Sequence, residues 1–183
     1  GDGGYIVCGA TMSFGSFDDD FWDAYLIKTD AIGTQQWSET FADETGDLRY
    51  CYAQSTSDGG YVLFGWYLGP AVLIKTDPNG RQQWRRRIGM GPEWSENGCG
   101  VGSSVSQTCD AGYIMAGWTK VLDSNEFAYL IKTDEEGNEA WRWTGARGPI
   151  TRDAIPVRHT MDGGYAVSAS YWIKTACCSS YLV

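Results

Sequence analysis

The sequence predicts an all-β fold built from four copies of one short antiparallel meander. Three observations carry that prediction: a tetrad recurring at near-constant spacing, two further signatures that follow it in fixed order, and segments rich in β-branched and aromatic residues broken by Gly and Asp. The tetrads are Asp2-Gly-Gly-Tyr5, Asp58-Gly-Gly-Tyr61, Asp110-Ala-Gly-Tyr113 and Asp162-Gly-Gly-Tyr165, with steps of 56, 52 and 52 residues. The second signature reads Tyr25-Leu-Ile-Lys-Thr-Asp30, Val72-Leu-Ile-Lys-Thr-Asp77 and Tyr129-Leu-Ile-Lys-Thr-Asp134, decaying to Tyr171-Trp-Ile-Lys-Thr-Ala176. In the third, Gly33 leads by four residues to Trp37, Gly80 to Trp84 and Gly137 to Trp141; the last unit has no such Trp. The repeats run approximately over 1–48, 49–97, 98–148 and 149–183, within one domain, since 183 residues suffice for a single packed core.

The second unit shows why each segment is a strand or a turn. Strands are predicted over Tyr50–Thr56, Tyr61–Tyr67, Ala71–Thr76 and Arg81–Ile88. Asp58-Gly59-Gly60 joins the first two, because Gly accepts positive φ and Asp bonds the turn backbone. Asp77-Pro78-Asn79-Gly80 joins the last two, with Pro preset for the second turn position. Turns this short make successive strands antiparallel neighbours. Four-stranded meanders repeated at this period are how β-propeller blades are written, so a propeller of four repeats is expected.

The first unit enters at its second strand and the last ends after its third, followed by Ala176-Cys-Cys-Ser-Ser-Tyr-Leu-Val183. Open sheet edges attract pairing. The tail Ser179–Val183 is therefore expected to complete the strand-deficient first blade by strand exchange, either in its own ring or on the next molecule of a homopolymer, with Cys178 reaching Cys8.

The wording of the repeat resembles the D-G-G-Y…L-I-K-T-D-x-x-G-x-x-x-W repeats of secreted bacterial and archaeal β-propellers. It is distantly similar to the pyrroloquinoline-quinone-type repeat, whose Gly stands four residues before a Trp that docks one blade on the next. The resemblance covers nearly the whole chain. It implies that Trp37, Trp84 and Trp141 pack between blades. Asp30 and Gly33, Asp77 and Gly80, and Asp134 and Gly137 are three apart, one shorter than in the quinoprotein form, which supports shared architecture over shared enzymology.

Charge and composition narrow the function classes. With 14 Lys plus Arg against 23 Asp plus Glu, a net charge of −9 disfavours nucleic acid as a partner. No apolar run approaches the roughly 20 residues that span a bilayer as a helix, so membrane insertion is not expected. Cys8, Cys51, Cys99, Cys109, Cys177 and Cys178 are even in number and lack paired C-x-x-C spacing, which points to disulfides and an extracellular or cell-surface location rather than zinc. Their connectivity is open among 15 pairings.

Candidate sites are few. Asp18, Asp19, Asp20 and Asp23 offer hard oxygen ligands for calcium, against a reading as a solvated acidic loop. Lys28, Lys75 and Lys132, repeated at one strand end, read as charges shielding sheet edges, and Asp30, Asp77 and Asp134 as turn formers. Arg85-Arg86-Arg87 guards an outer strand, and His159, the sole histidine, has no nucleophile or orienting partner in any motif. The vicinal Cys177-Cys178 resembles a pair that quinoprotein dehydrogenases carry beside their cofactor, in chains far longer than this one. The sequence is thus read as a non-catalytic structural or adhesive module, without cofactor, that assembles as a homo-oligomer or polymer. The alternatives are a glycan-binding lectin and a quinoprotein fragment.

Overall fold

A computed structural model describes residues 2–12, 22–42, 48, 50–66, 71–88, 100–121, 125–147, 156–160, 164–171 and 179–182. Among these are fourteen strands and no helix. The first sheet holds β1 (Ile6–Thr11), β2 (Asp23–Thr29) and β3 (Gln35–Phe41), the second β4 (Tyr50–Ser55), β5 (Tyr61–Trp66), β6 (Ala71–Thr76) and β7 (Gln82–Ile88). The third holds β8 (Gly100–Gln107), β9 (Tyr113–Val121), β10 (Asn125–Thr133) and β11 (Glu139–Arg147), the fourth β12 (Val157–His159), β13 (Tyr165–Tyr171) and β14 (Ser179–Leu182). Every pairing is antiparallel and joins neighbours in the chain, as short turns require. The second unit's strands fall within a residue of the sequence expectation.

Alternation of side chains turns these sheets into a face-to-face series. Tyr61, Leu63, Val72 and Ile74 of the second sheet pack on Ala24, Leu26, Phe41 and Leu48. Its other face, with Val62, Phe64, Ala71, Leu73 and Ile88, packs on Val105, Tyr113, Met115, Tyr129 and Ile131. Ile114, Ala116 and Trp118 then meet Val157 and Val167 of the fourth sheet. Because β6 lies between two cores, all six of its residues are buried.

Tyr129 is fully buried, yet its hydroxyl has no hydrogen-bond partner among the described residues. Burial pushes its phenol pKa well above the usual value. An unmet buried hydroxyl costs about 1–3 kcal/mol. Tyr129→Phe is therefore expected to raise stability by about 1 kcal/mol, read as a higher urea midpoint.

Two expectations need correction. The cores lie between consecutive sheets, and the first and fourth sheets share none, so among the described residues no closure into a ring is seen. The tail does not complete the first sheet. It pairs with β13, placing Ser179 opposite Tyr171 and Leu182 opposite Ser168. A short connection to the adjacent edge costs less closure entropy than a reach to the other end of the series. The third strand expected from Tyr171-Trp-Ile-Lys-Thr-Ala176 falls mostly on 172–178, outside the described residues.

Candidate functional site

The tetrad and the Lys-Thr-Asp signature meet in one repeated clasp. In the second unit the turn is closed by Gly59 N–H donating to the Thr56 carbonyl and Thr56 N–H to the Gly60 carbonyl. Asp58 Oδ1 accepts from Gly60 N–H at 3.1 Å and from the Thr56 hydroxyl at 2.5 Å. Its Oδ2 accepts from Lys75 Nζ at 2.7 Å, and the same ammonium donates to the Thr76 carbonyl at 2.7 Å and to Gln83 Oε1 at 3.2 Å. In the first unit Lys28 Nζ donates to Asp2 Oδ2 and to the Thr29 carbonyl, both at 2.6 Å, and to Gln36 Oε1 at 3.3 Å. All three ammonium N–H donors are thereby used, leaving none to aim at a ligand.

These lysines are buried, at 7%, 4% and 5% exposure for Lys28, Lys75 and Lys132. The edge-shielding reading is thus wrong: each butylammonium turns inward across the end of its sheet. A ladder irregularity explains the geometry. Lys75 pairs with Trp84 while Thr76 pairs with Gln82, so Gln83 bulges from β7, and its amide caps the ammonium. Gln36 stands in the same place between Gln35 and Trp37. In the third unit that place holds Ala140, and Lys132 instead takes both carboxylate oxygens of Asp110, at 3.0 and 2.9 Å, with the Thr133 carbonyl at 2.7 Å. Sequence reasoning missed both glutamines; the Gln-Gln-Trp repeated at Gln35–Trp37 and Gln82–Trp84 was the available signal.

The carboxylates report the clasp electrostatically. Burial pushes the Asp58 carboxyl up, but hydrogen bonds from Lys75, Thr56 and Gly60 outweigh it and hold the pKa at about 2. Thr108 and Lys132, with Gly112, bring Asp110 to about 2 as well. Lys28 and the Gly4 amide hold Asp2 below its ordinary value. The folded values of Asp58 and Asp110 lie below the unfolded value near 3.9, so in acid the unfolded chain binds more protons. Their contribution is complete above about pH 5 and falls away as pH drops through about 2. Side chains 51% and 66% exposed keep it modest through solvent screening. Urea midpoints should drop across that acid window, and less steeply in Asp110→Asn.

The third signature builds the joint between sheets. Asp77 Oδ1 accepts from Asn79 N–H and Arg81 N–H, fixing a turn that puts Gly80 at φ 82°. Asp30 does the same for Ile32 and Thr34, and Asp134 accepts from Asn138 N–H. Gly80 lies under the Trp37 ring of the preceding sheet, where a methyl on Gly80 would come within 2.6 Å of it. The same ring meets Tyr61 edge-on with centroids 5.7 Å apart. Trp84 is seated in the same way by Tyr113, at 5.7 Å, and Gly137. Trp141 meets Tyr165 at 5.8 Å but stays 41% exposed. Each of the three tryptophans thus meets the tetrad tyrosine of the following sheet. Arg86 stacks over Trp84 at 5.6 Å, and Arg85 donates to the Ala42 carbonyl, so part of the basic run serves the joint.

The remaining candidates separate. Cys8 of β1 bonds to Cys51 of β4, with Cα atoms 5.8 Å apart, which corrects the expected Cys8–Cys178 link and ties the first sheet to the second. Two strands packed across a sheet interface bring these residues together, whatever their distance in sequence. Cys109 is exposed and forms no disulfide among the described residues, while Cys99, Cys177 and Cys178 lie outside them. The bridge spans 43 residues, so the Cys8→Ser/Cys51→Ser double variant is expected to lose about 4 kcal/mol, read as a lower melting temperature. Asp23 is buried at the start of β2, opposite Thr11; Asp18, Asp19 and Asp20 lie outside the described residues. Among the described residues no three His, Cys, Asp or Glu converge as a metal site. His159 is on β12, as read, paired with Tyr165.

No protein-family model and no curated protein matches the sequence. Among solved structures, the fold is similar to that of a protein of unknown function from Bacteroides caccae, with a TM-score of 0.52 and 11% identical residues. The match covers 96% of this chain and 57% of that one, so this chain spans little more than half the length of its structural neighbour. That likeness concerns the fold alone.

Proposed function

We propose that this chain is a non-catalytic structural or adhesive β-propeller module that works outside the cell or on its surface. The observation that carries the reading is that all three recurring signatures are consumed by the architecture: Asp and Lys in clasps, Asp and Gly in turns, Trp in joints. Face-to-face sheets joined by ring docking support a propeller arc. The Cys8–Cys51 bridge supports an oxidising compartment. Labelling intact producing cells with a membrane-impermeant reagent is expected to tag the protein. Recovery from the cytosol alone, with Cys8 and Cys51 as thiols, would overturn the location.

The lectin reading rests on Trp141 and Trp143, which are 41% and 42% exposed. Trp37 and Trp84 are covered by the following turns, so stacking surface does not recur around the series. Glycan-array binding abolished by Trp143→Ala would favour the lectin. A quinone band in the absorption spectrum of native material would favour the enzyme.

A further inference from the structure

The joint between sheets has a donor ring and a receiving socket, and among the described residues nothing fills the socket of the first sheet. Its wall is Tyr5, the tetrad tyrosine equivalent to Tyr61 and Tyr113, and its floor is Gly33, equivalent to Gly80 and Gly137. Gly80 and Gly137 lie against Trp37 and Trp84, whereas nothing lies within 4 Å of where a Gly33 methyl would stand. Gly33 keeps the same left-handed backbone, φ 89°, so the socket is formed without its ring.

The surrounding surface repeats the contrast. Tyr5 is 60% exposed and Val7 50%, while their counterparts Tyr61 and Leu63 are 7% and 1% exposed. Ile27 is half-buried beside Val7, where Ile74 is sealed. This is a joint face of unchanged design with no opposing sheet among the described residues.

We infer that the Tyr5–Gly33 face of the first sheet is a docking site for the Trp-bearing outer hairpin of a further repeat sheet. Two filled sockets within the chain specify the occupant: an Asp-x-x-Gly-x-x-x-Trp hairpin whose indole sits edge-on to the tyrosine and over the glycine. The inference stands on sheet geometry and is independent of where the protein works.

The test adds a backbone-cyclised peptide of residues 71–88, its hairpin pairing verified beforehand, to the isotope-labelled full chain. Saturable amide shifts at Gly33 and Tyr5 are expected, with a ring-current displacement of the Gly33 amide. Trp84→Ala in the peptide, which keeps its charge, and Tyr5→Ala in the protein are each expected to weaken binding about tenfold. Tyr5 is exposed, so that variant folds as the parent does. Shifts that do not saturate, that map elsewhere, or that ignore both substitutions overturn the inference.

Discussion

Gly60→Ala is expected to destabilise the protein by about 4 kcal/mol or more. A methyl there would stand 2.1 Å from the Thr76 carbonyl oxygen and 2.7 Å from Lys75 Nζ. The oxygen belongs to a paired strand and yields little; the ammonium yields only by leaving Asp58. Overpacking alone costs about 1–3 kcal/mol. Separating a buried charge from its partner adds about 3–5 kcal/mol, less here because the carboxylate is half-exposed. Gly112→Ala meets the same two obstacles, the Thr133 carbonyl at 2.2 Å and Lys132 Nζ at 2.6 Å. Two comparisons isolate the cause. Gly59→Ala should cost only about 1 kcal/mol, since Ala111 already holds the equivalent turn position at φ 63°. Gly9→Ala, with nothing within 4 Å, should change stability by less than about 0.5 kcal/mol. Urea unfolding of the four variants reads all of this. A Gly60→Ala loss no greater than that of Gly59→Ala would contradict the clasp.

Trp84→Ala should cost about 4 kcal/mol and lower the melting temperature by about 10 °C for a chain of this size. Its indole joins two sheets, lying against Tyr113, Gly137 and the Arg86 side chain. Removing it leaves a void in a joint whose walls are fixed strands and a tight turn, so little collapse can fill it. Trp141→Ala should cost about half as much, because that ring is 41% exposed and has only Tyr165 among the described residues as its aromatic partner. Thermal melts of the two variants test the difference. Equal losses would mean that the following turn contributes nothing to seating the ring.

The sequence determined the features that arise within a few residues. The Asp-Gly-Gly and Asp-x-x-Gly turns are legible because left-handed backbone and side-chain-bonded turns demand those residues wherever they occur, and they set antiparallel neighbours and the four-unit period. The repeated Gly-to-Trp spacing marked Trp37, Trp84 and Trp141 as equivalent positions, and the resemblance supplied the expectation that they dock. Features that depend on what lies across a sheet or between sheets were decided by the tertiary structure. Lys75 reads as a surface charge until the bulge at Gln83 and the turn at Asp58 are brought together around it. Cys8 has no marked preference among the other cysteines until β1 is laid against β4. The tail's partner was settled by competition between exposed edges, where loop closure favours the adjacent strand. Local propensity acts on φ and ψ residue by residue; burial, pairing and closure depend on distances that no spacing in the chain encodes.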